Sequence, residues 1–398
     1  MRNGDGILIV GGGLAAQRCA ETLRNRGYER PVRIVCGEAL PPYDRPPLSK
    51  ALLAGEVPDY SVGLRPACWY DENGVELLMG VEARRLDPQA HAVELADGRA
   101  LGYSKLLIAT GSRARGLGFL EGYSNVHALR TLADVRRLRS ELRPGARLVL
   151  IGAGFIGLEA AATARRLGVE VTVVEATDAP LSAILGADVG ERFARLHRDE
   201  GVAVRTGAML EAARGNGRVE ELVLADGTKL EPETVLVGIG VAPATEWLAG
   251  SGLDLDGGVV TDEAGRTRLR DVYAAGDVTR AFDPRLGAHA RTEHWAAAAR
   301  QGAAAARAML GDEPPGPPPP TFWSDQYGIR FQYVGYAAIA DAKEVDGDPD
   351  GREFTVTYTR RGRPVAALVA GRPRELVALR RRIEHELPIP TDDQRRNS

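Results

Sequence analysis

Two stretches of this 398-residue chain follow one plan, and that duplication limits the fold more than any other feature. ILIV (7–10) leads into GGGLAA (11–16), a helix-like segment and a second strand, VRIVC (32–36). RLVLIGAGFIG (147–157) does the same, followed by a helix-like segment and VEVTVVE (169–175). Further on, LADGRALGYSKLLIATG (95–111) aligns without gaps on LADGTKLEPETVLVGIG (224–240). Asp97-Gly98 and Asp226-Gly227 are hairpin turn signals, so each unit carries a hairpin before its closing apolar strand. The strand, glycine turn and helix, read twice, predict an α/β chain with two Rossmann-like dinucleotide-binding domains.

The two units differ in length at one place. Gly11 to Ala96 spans 85 residues and Gly152 to Ala225 spans 73. Ten of the twelve extra residues follow the second strand, where PPYDRPPLSK (41–50) lies. Proline fixes φ and biases the preceding residue towards extended backbone. The segment is therefore expected to be stiff and extended, and to deliver Lys50 to a set place.

Beyond the second unit come an alanine-rich helix (295–310) and GDEPPGPPPP (311–320), a polyproline linker. FQYVGYAAIA (331–340), FTVTYTR (354–360) and PVAALVAG (364–371) predict a small sheet closed by a helix over 374–387. The expected units are residues 1–112 with 243–319, residues 113–242, and a small α+β C-terminal unit, 320–398. Net charge is −3, which gives no reason to expect nucleic acid or an anionic membrane. Cys19, Cys36 and Cys68 are an odd number, far apart, and suit a reducing compartment. No apolar run approaches the ~20 residues of a membrane span. A soluble, cytoplasmic protein is expected.

The first fingerprint is Gly11-x-Gly13-x-x-Ala16, with Glu38 after the next strand. Glycine lets the backbone approach a pyrophosphate, which the helix N-terminus then stabilises. The second, Gly152-x-Gly154-x-x-Gly157, fits in full, and Glu175 closes its second strand. A carboxylate there binds an adenosine ribose and repels a 2′-phosphate, so NADH is favoured over NADPH. The candidate contacts are Gly11, Gly13, Leu14, Ala15 and Ala16 in one turn. In the other they are Gly152, Gly154, Phe155, Ile156 and Gly157. Two dinucleotide sites imply a bound flavin and an exchanging nicotinamide.

PPYDRPPLSK, LIATGSR, LRTLADV, GAGFIGLEAA, VYAAGDV and FWSDQYG together resemble one group. It is the NADH-dependent ferredoxin and rubredoxin reductases, flavoproteins of the glutathione-reductase-like superfamily. The resemblance covers almost the whole chain. It implies FAD and NADH as cofactors. It implies that Asp277 bonds the ribityl chain, and that Glu38, Arg45, Ala83, Thr110 and Arg130 contact FAD. Trp295 would lie near the flavin and nicotinamide rings, and Gly240 would border the NADH channel. Trp295 as a packed helix residue and Asp277 as a helix N-cap are the alternatives. Lys50 would lie near the flavin and pair with Glu159, two residues after Gly157; the alternative is a surface lysine ending a proline loop. These two are the catalytic candidates.

Disulfide reductases of the superfamily place a Cys-x4-Cys pair after the first fingerprint; here only Cys36 stands there. Three scattered cysteines cannot hold an iron–sulfur cluster, and no metal-ligand spacing appears. The electron acceptor is therefore expected outside the chain. An acidic iron–sulfur ferredoxin is implied, feeding a P450 or a dioxygenase, with the reductase a monomer or weak homodimer. Two other readings stay open: a reductase of a small molecule in a biosynthetic pathway, and a redox-responsive binding protein of the apoptosis-inducing-factor type. Residues 360–382 hold eight arginines and one acid, Glu375, either a solvated face or a docking surface for the acidic partner.

Overall fold

The computed structural model describes residues 6–348 and 352–387. Residues 1–5 and 388–398, at the ends of the first and last expected units, lie outside the described residues. A five-stranded parallel sheet runs in the order Val272–Ala274, Lys105–Ile108, Ile7–Val10, Val32–Cys36, Val75–Met79. A second parallel sheet has the order Ala203–Arg205, Glu170–Val174, Arg147–Ile151, Thr234–Val237, Val126–His127. In both, the strand before the glycine turn is central; Ile7–Val10 is fully buried, and in Arg147–Ile151 every residue after the exposed Arg147 is. Buried on both faces, such strands read as the unbroken apolar runs seen in the sequence. Each unit also carries a small antiparallel sheet, Ala83–Asp87 to Gly102 in one and Leu210–Arg214 to Leu230 in the other.

The helices are α1 (Leu14–Asn25), α2 (Ala67–Glu72), α3 (Leu132–Glu141), α4 (Phe155–Arg166), α5 (Ser182–Leu185), α6 (Ala187–Asp199), α7 (Trp295–Met309) and α8 (Pro373–Glu386). The chain passes between the two parallel sheets twice, at Ser112–Ala114 and Val241–Pro243, and these passages pair antiparallel. Helix α7 returns against α1, where Gly302 leaves room for the backbone of Ala15. Among the described residues, no helix is long and apolar enough to cross a membrane.

Past the proline linker, five antiparallel strands form the last sheet: Thr321–Gln326, Ile329–Gly335, Arg363–Ala370, Phe354–Arg360, Ala342–Gly347. Helix α8 lies across it, burying Ile383 against Val334 and Ala367. Two of these strands go beyond the sequence reading, Thr321–Gln326 and the exposed edge strand Ala342–Gly347.

The proline segment corrects an expectation. Pro46–Ser49 forms a turn of 3-10 helix, not an extended rod. Prolines at the first helical positions need no N–H partner, and their fixed φ already suits a helix. The segment is anchored all the same. Tyr43, Leu48, Leu52 and Leu53 are buried in one continuous core with Leu150 and Leu158 of the second unit and Phe331 and Leu368 of the last sheet.

Candidate functional site

The two glycine turns are built alike. Gly11 (φ +123°) and Gly152 (φ +95°) hold left-handed conformations. A Cβ on them would stand 2.0 Å from the Ala109 carbonyl oxygen and 2.6 Å from that of Gly238. Gly13 and Gly154 are the opposite case: a Cβ on either would meet nothing within 4 Å. Both are helix N-caps in extended conformation with no side-chain cap. Helix α3, by contrast, has a full capping box from Thr131 and Asp134. So α1 and α4 turn first-turn N–H donors, without a side-chain acceptor, towards open space. That is a fit for the pyrophosphates of two dinucleotides. Ala15 and Ala16 are buried, and Leu14 is half-exposed. Gly157 is buried where a Cβ would stand 2.8 Å from the Gly152 oxygen. Ile156 is exposed, whereas the Phe155 ring turns inward against Phe193 and Phe322.

Glu175 sits at the edge of the second turn. Its Oε2 accepts from the Ala153 N–H at 2.7 Å, and its Oε1 from the Thr177 N–H and hydroxyl, both at 2.8 Å. Gly240, at φ +94°, accepts from the Arg115 N–H.

Several expected contacts of the first site are partners of one another. Glu38 accepts from Arg45 at 3.0 Å and from the Tyr43 hydroxyl at 2.7 Å. Arg130 pairs with Asp277 at 2.7 Å and also donates to the Ser112 hydroxyl at 2.9 Å. The Arg130 carbonyl in turn accepts from Arg45. Thr110 donates to the Ala244 carbonyl at 2.8 Å. Ala83 opens its hairpin sheet opposite Leu95.

Lys50 and Glu159 meet. Lys50 Nζ lies 2.6 Å from Glu159 Oε2, and the Glu159 side chain is 5% exposed. The same oxygen accepts from Ser49 Oγ at 2.5 Å. Glu159 Oε1 accepts from Ser324 Oγ at 2.7 Å and from the Asp325 N–H at 3.3 Å. One carboxylate thus ties the proline segment, α4 and the C-terminal sheet together. A buried carboxylate needs this many donors, since an unpaired one would cost several kcal/mol. Of the 51 basic residues in the chain only four are lysines, so a lysine at 50 stands out from an arginine-rich background. An ammonium is a compact charge on a flexible stem, unlike the planar guanidinium.

Trp295 opens α7 and donates its indole N–H to Asp44 at 2.6 Å. Its ring meets Trp323 edge-on, with centroids 5.9 Å apart. His294 packs on Phe322, and burial pushes its pKa down to about 4. Burial likewise raises Asp44, with the Trp295 indole acting in the opposite sense. Asp44, Ser49 and Ser324 escaped the sequence reading. The signals were present in part, since all three lie inside the quoted motifs YDRPPLSK and FWSDQYG.

The profile of the pyridine nucleotide-disulphide oxidoreductases matches residues 5–302, and a reductase C-terminal domain matches residues 321–395. The chain belongs to the pyridine nucleotide-disulphide oxidoreductase family. It is 39% identical over 384 residues to the ferredoxin–NAD(+) reductase component of the anthranilate 1,2-dioxygenase system of Burkholderia cepacia, covering 95% of this chain and 94% of that one. It is 34% identical over 396 residues to the putidaredoxin reductase of Pseudomonas putida, covering 98% and 94%. The solved covalent putidaredoxin reductase–putidaredoxin complex superposes with a TM-score of 0.93 at 34% identity, covering 95% and 93%. The disulphide in the family's name has no counterpart among the described residues. Cys19 and Cys36 are buried free thiols and Cys68 is an exposed one. Burial pushes the Cys36 thiol up to about 12, so it is a poor redox group at neutral pH.

Proposed function

We propose that the chain takes hydride from NADH onto FAD and passes electrons singly to an acidic iron–sulfur ferredoxin that serves a P450 or a dioxygenase. The observation that carries the reading is the pairing of half-buried Lys50 with buried Glu159, which joins the insert of the first dinucleotide unit to the fingerprint helix of the second. When bound, FAD supplies a hydride acceptor that can release its electrons one at a time.

In this reading residues 1–112 with 243–319 form the FAD unit, 113–242 the NADH unit and 320–398 the interface unit. The N–H groups opening α1 and α4 hold the two pyrophosphates. Glu38 and Glu175 face the two adenosine riboses. Arg45, Ala83, Thr110, Arg130 and Asp277 line the flavin side, with Trp295 at the rings and Gly240 beside the NADH channel. Lys50 offers positive charge where the reduced ring system becomes negative, and Glu159 holds that lysine in place. With no dithiol in the chain to take electrons, the acceptor is external. The relatives named for ferredoxin systems support an iron–sulfur partner. A cytoplasmic location and a monomer or weak homodimer go with this role.

The test is anaerobic mixing with NADH, then steady-state cytochrome c reduction with and without added ferredoxin. The reading expects the yellow protein to bleach and cytochrome c reduction to require ferredoxin. Reduction that ignores ferredoxin would point to a small-molecule acceptor. Slow bleaching with a long-lived nicotinamide complex and dimerisation would point to a redox-responsive binding protein.

A further inference from the structure

Glu159 is not the end of its hydrogen-bond network. Ser324 Oγ, which donates to Glu159, accepts from Gln326 Nε2 at 3.0 Å. Gln326 Oε1 lies 2.9 Å from His197 Nε2, and His197 Nδ1 lies 2.9 Å from the Tyr327 hydroxyl. Ser324, Gln326 and His197 are at most 1% exposed.

The direction of every bond follows from the carboxylate. A carboxylate only accepts, so Ser324 donates to it and has its lone pairs left for the Gln326 amide NH2. That turns the Gln326 oxygen towards His197, which must then carry its proton on Nε2. Nδ1 is left as the acceptor for the Tyr327 hydroxyl. Donors therefore run one way from Tyr327 through His197, Gln326 and Ser324 to Glu159, where Lys50 and Ser49 arrive from the other side. The chain joins α6 of the second unit to the first strand of the C-terminal sheet and then to the proline segment.

Backbone geometry supports the network independently. Tyr327 and Gly328 form the two-residue turn between Thr321–Gln326 and Ile329–Gly335, and Tyr327 holds φ +52°. A bulky residue in the left-handed region is strained and persists where its surroundings demand it. Asparagine or glycine would suit this turn better. The tyrosine places its hydroxyl on His197.

We propose that Ser324, Gln326, His197 and Tyr327 are positioning residues for the Lys50–Glu159 pair, making its geometry depend on how the C-terminal sheet docks on α6. The proposal rests on the reading that this pair serves the reductive reaction. None of the four is asked to touch a reacting atom. Each fixes the next donor, and the last fixes both the orientation and the charge balance of Glu159.

The chain's four lysines make the test direct. In FAD-loaded full-length protein labelled with 13Cε-lysine, the Lys50 signal is assigned by its loss in Lys50→Arg. Gln326→Met keeps the side-chain length and breaks the chain two bonds from Glu159. It should shift the Lys50 signal while those of Lys105 and Lys229 stay fixed. It should also slow flavin bleaching by NADH by roughly tenfold, as expected when an orienting partner is lost. Tyr327→Phe removes a single oxygen at the far end and should move the same signal less; it decides the matter alone if Gln326→Met does not fold. An unmoved Lys50 signal with an unchanged bleaching rate overturns the proposal. If the wild-type protein does not bleach with NADH, the proposed function fails, while the lysine spectra still decide whether the network reaches Lys50.

Discussion

Trp295 donates to Asp44 across 251 residues of sequence, fastening the first residue of α7 to the proline segment of the first unit. Asp44 is shielded enough that burial raises its pKa, and the indole N–H is the leading influence in the opposite sense. Trp295→Phe keeps an aromatic ring but leaves that carboxylate short of a donor. The expected loss is about 1–3 kcal/mol in urea unfolding. Adding Asp44→Asn, which removes the charge, should recover part of it. A Trp295→Phe variant as stable as the wild type would mean that the bond holds nothing in solution.

Glu175→Arg should raise the use of NADPH relative to NADH, because the 2′-phosphate gains a cation and loses a repulsive charge. The geometry adds a cost. Glu175 also accepts from the Ala153 and Thr177 N–H groups, so the arginine variant loses a brace of the glycine turn. NADH efficiency should therefore fall by more than NADPH efficiency rises. Unchanged kcat/KM ratios for the two nucleotides would remove Glu175 from the specificity argument.

Lys50→Ala and Glu159→Ala should both slow reduction by NADH, and the double variant should lose less than the two single losses combined. Their effects on stability should be unequal. Lys50→Ala leaves Glu159 buried with three of its four donors, whereas Glu159→Ala strips Lys50, Ser49 and Ser324 of one shared acceptor. Independent losses in stopped-flow rates would show that the residues do not act as a pair.

How much of this was legible beforehand depended on the range of the signal. The paired glycine turns were plain because strand, turn and helix are contiguous and the whole plan recurs. The Lys50–Glu159 pair came only through the family resemblance, since nothing in the spacing of residues 109 apart announces a contact. The contact of Ser324 with Glu159 lay outside any periodic pattern for the same reason. Pro46–Ser49 was misread because proline favours extended neighbours in general but also suits the opening of a helix. The strand Ala342–Gly347 was missed because it is an edge strand with little buried face, and so shows no apolar alternation.

His197 sets a pH dependence whose sign is fixed. Burial pushes its pKa down to about 4 from an ordinary 6.5, against the bond to Gln326. Tyr327 faces its other nitrogen, with Glu200 and Arg165 near that hydroxyl. Above pH 6.5 the imidazole is neutral folded or unfolded and has no effect. As pH falls towards 4 the unfolded chain binds a proton that the folded one refuses, so stability drops, by about 3 kcal/mol in all. Below about 4 the effect levels off. His197→Gln should be less stable at pH 7 yet lose less on going to pH 4.5, read as urea midpoints. Equal acid losses in the two proteins would mean that His197 is protonated in the fold.

An acidic partner would meet the arginines of the C-terminal unit. Of the eight arginines in 360–382, Arg380 is held by Glu384 at 3.0 Å, Arg372 by Asp346 at 2.8 Å, and Arg363 lies 3.7 Å from Glu386. Arg374, Arg381 and Arg382 are exposed around α8, which makes them the better candidates for a docking charge. Encounter with an acidic ferredoxin would then be steered by charge and weakened by salt. Arg381→Glu with Arg382→Glu should raise KM for ferredoxin and flatten its salt dependence, leaving NADH reduction of ferricyanide untouched. Arg380→Glu should do less to docking, because its guanidinium already spends its charge on Glu384. Ferredoxin kinetics unchanged in the double variant would move the docking surface off α8. The next place to look would be Arg113, Arg115, Arg136 and Arg137. Arg113, Arg136 and Arg137 are already paired with the carboxylates of Glu246, Asp59 and Asp134, whereas Arg115 donates to the Val241 carbonyl, so Arg115 would be changed first.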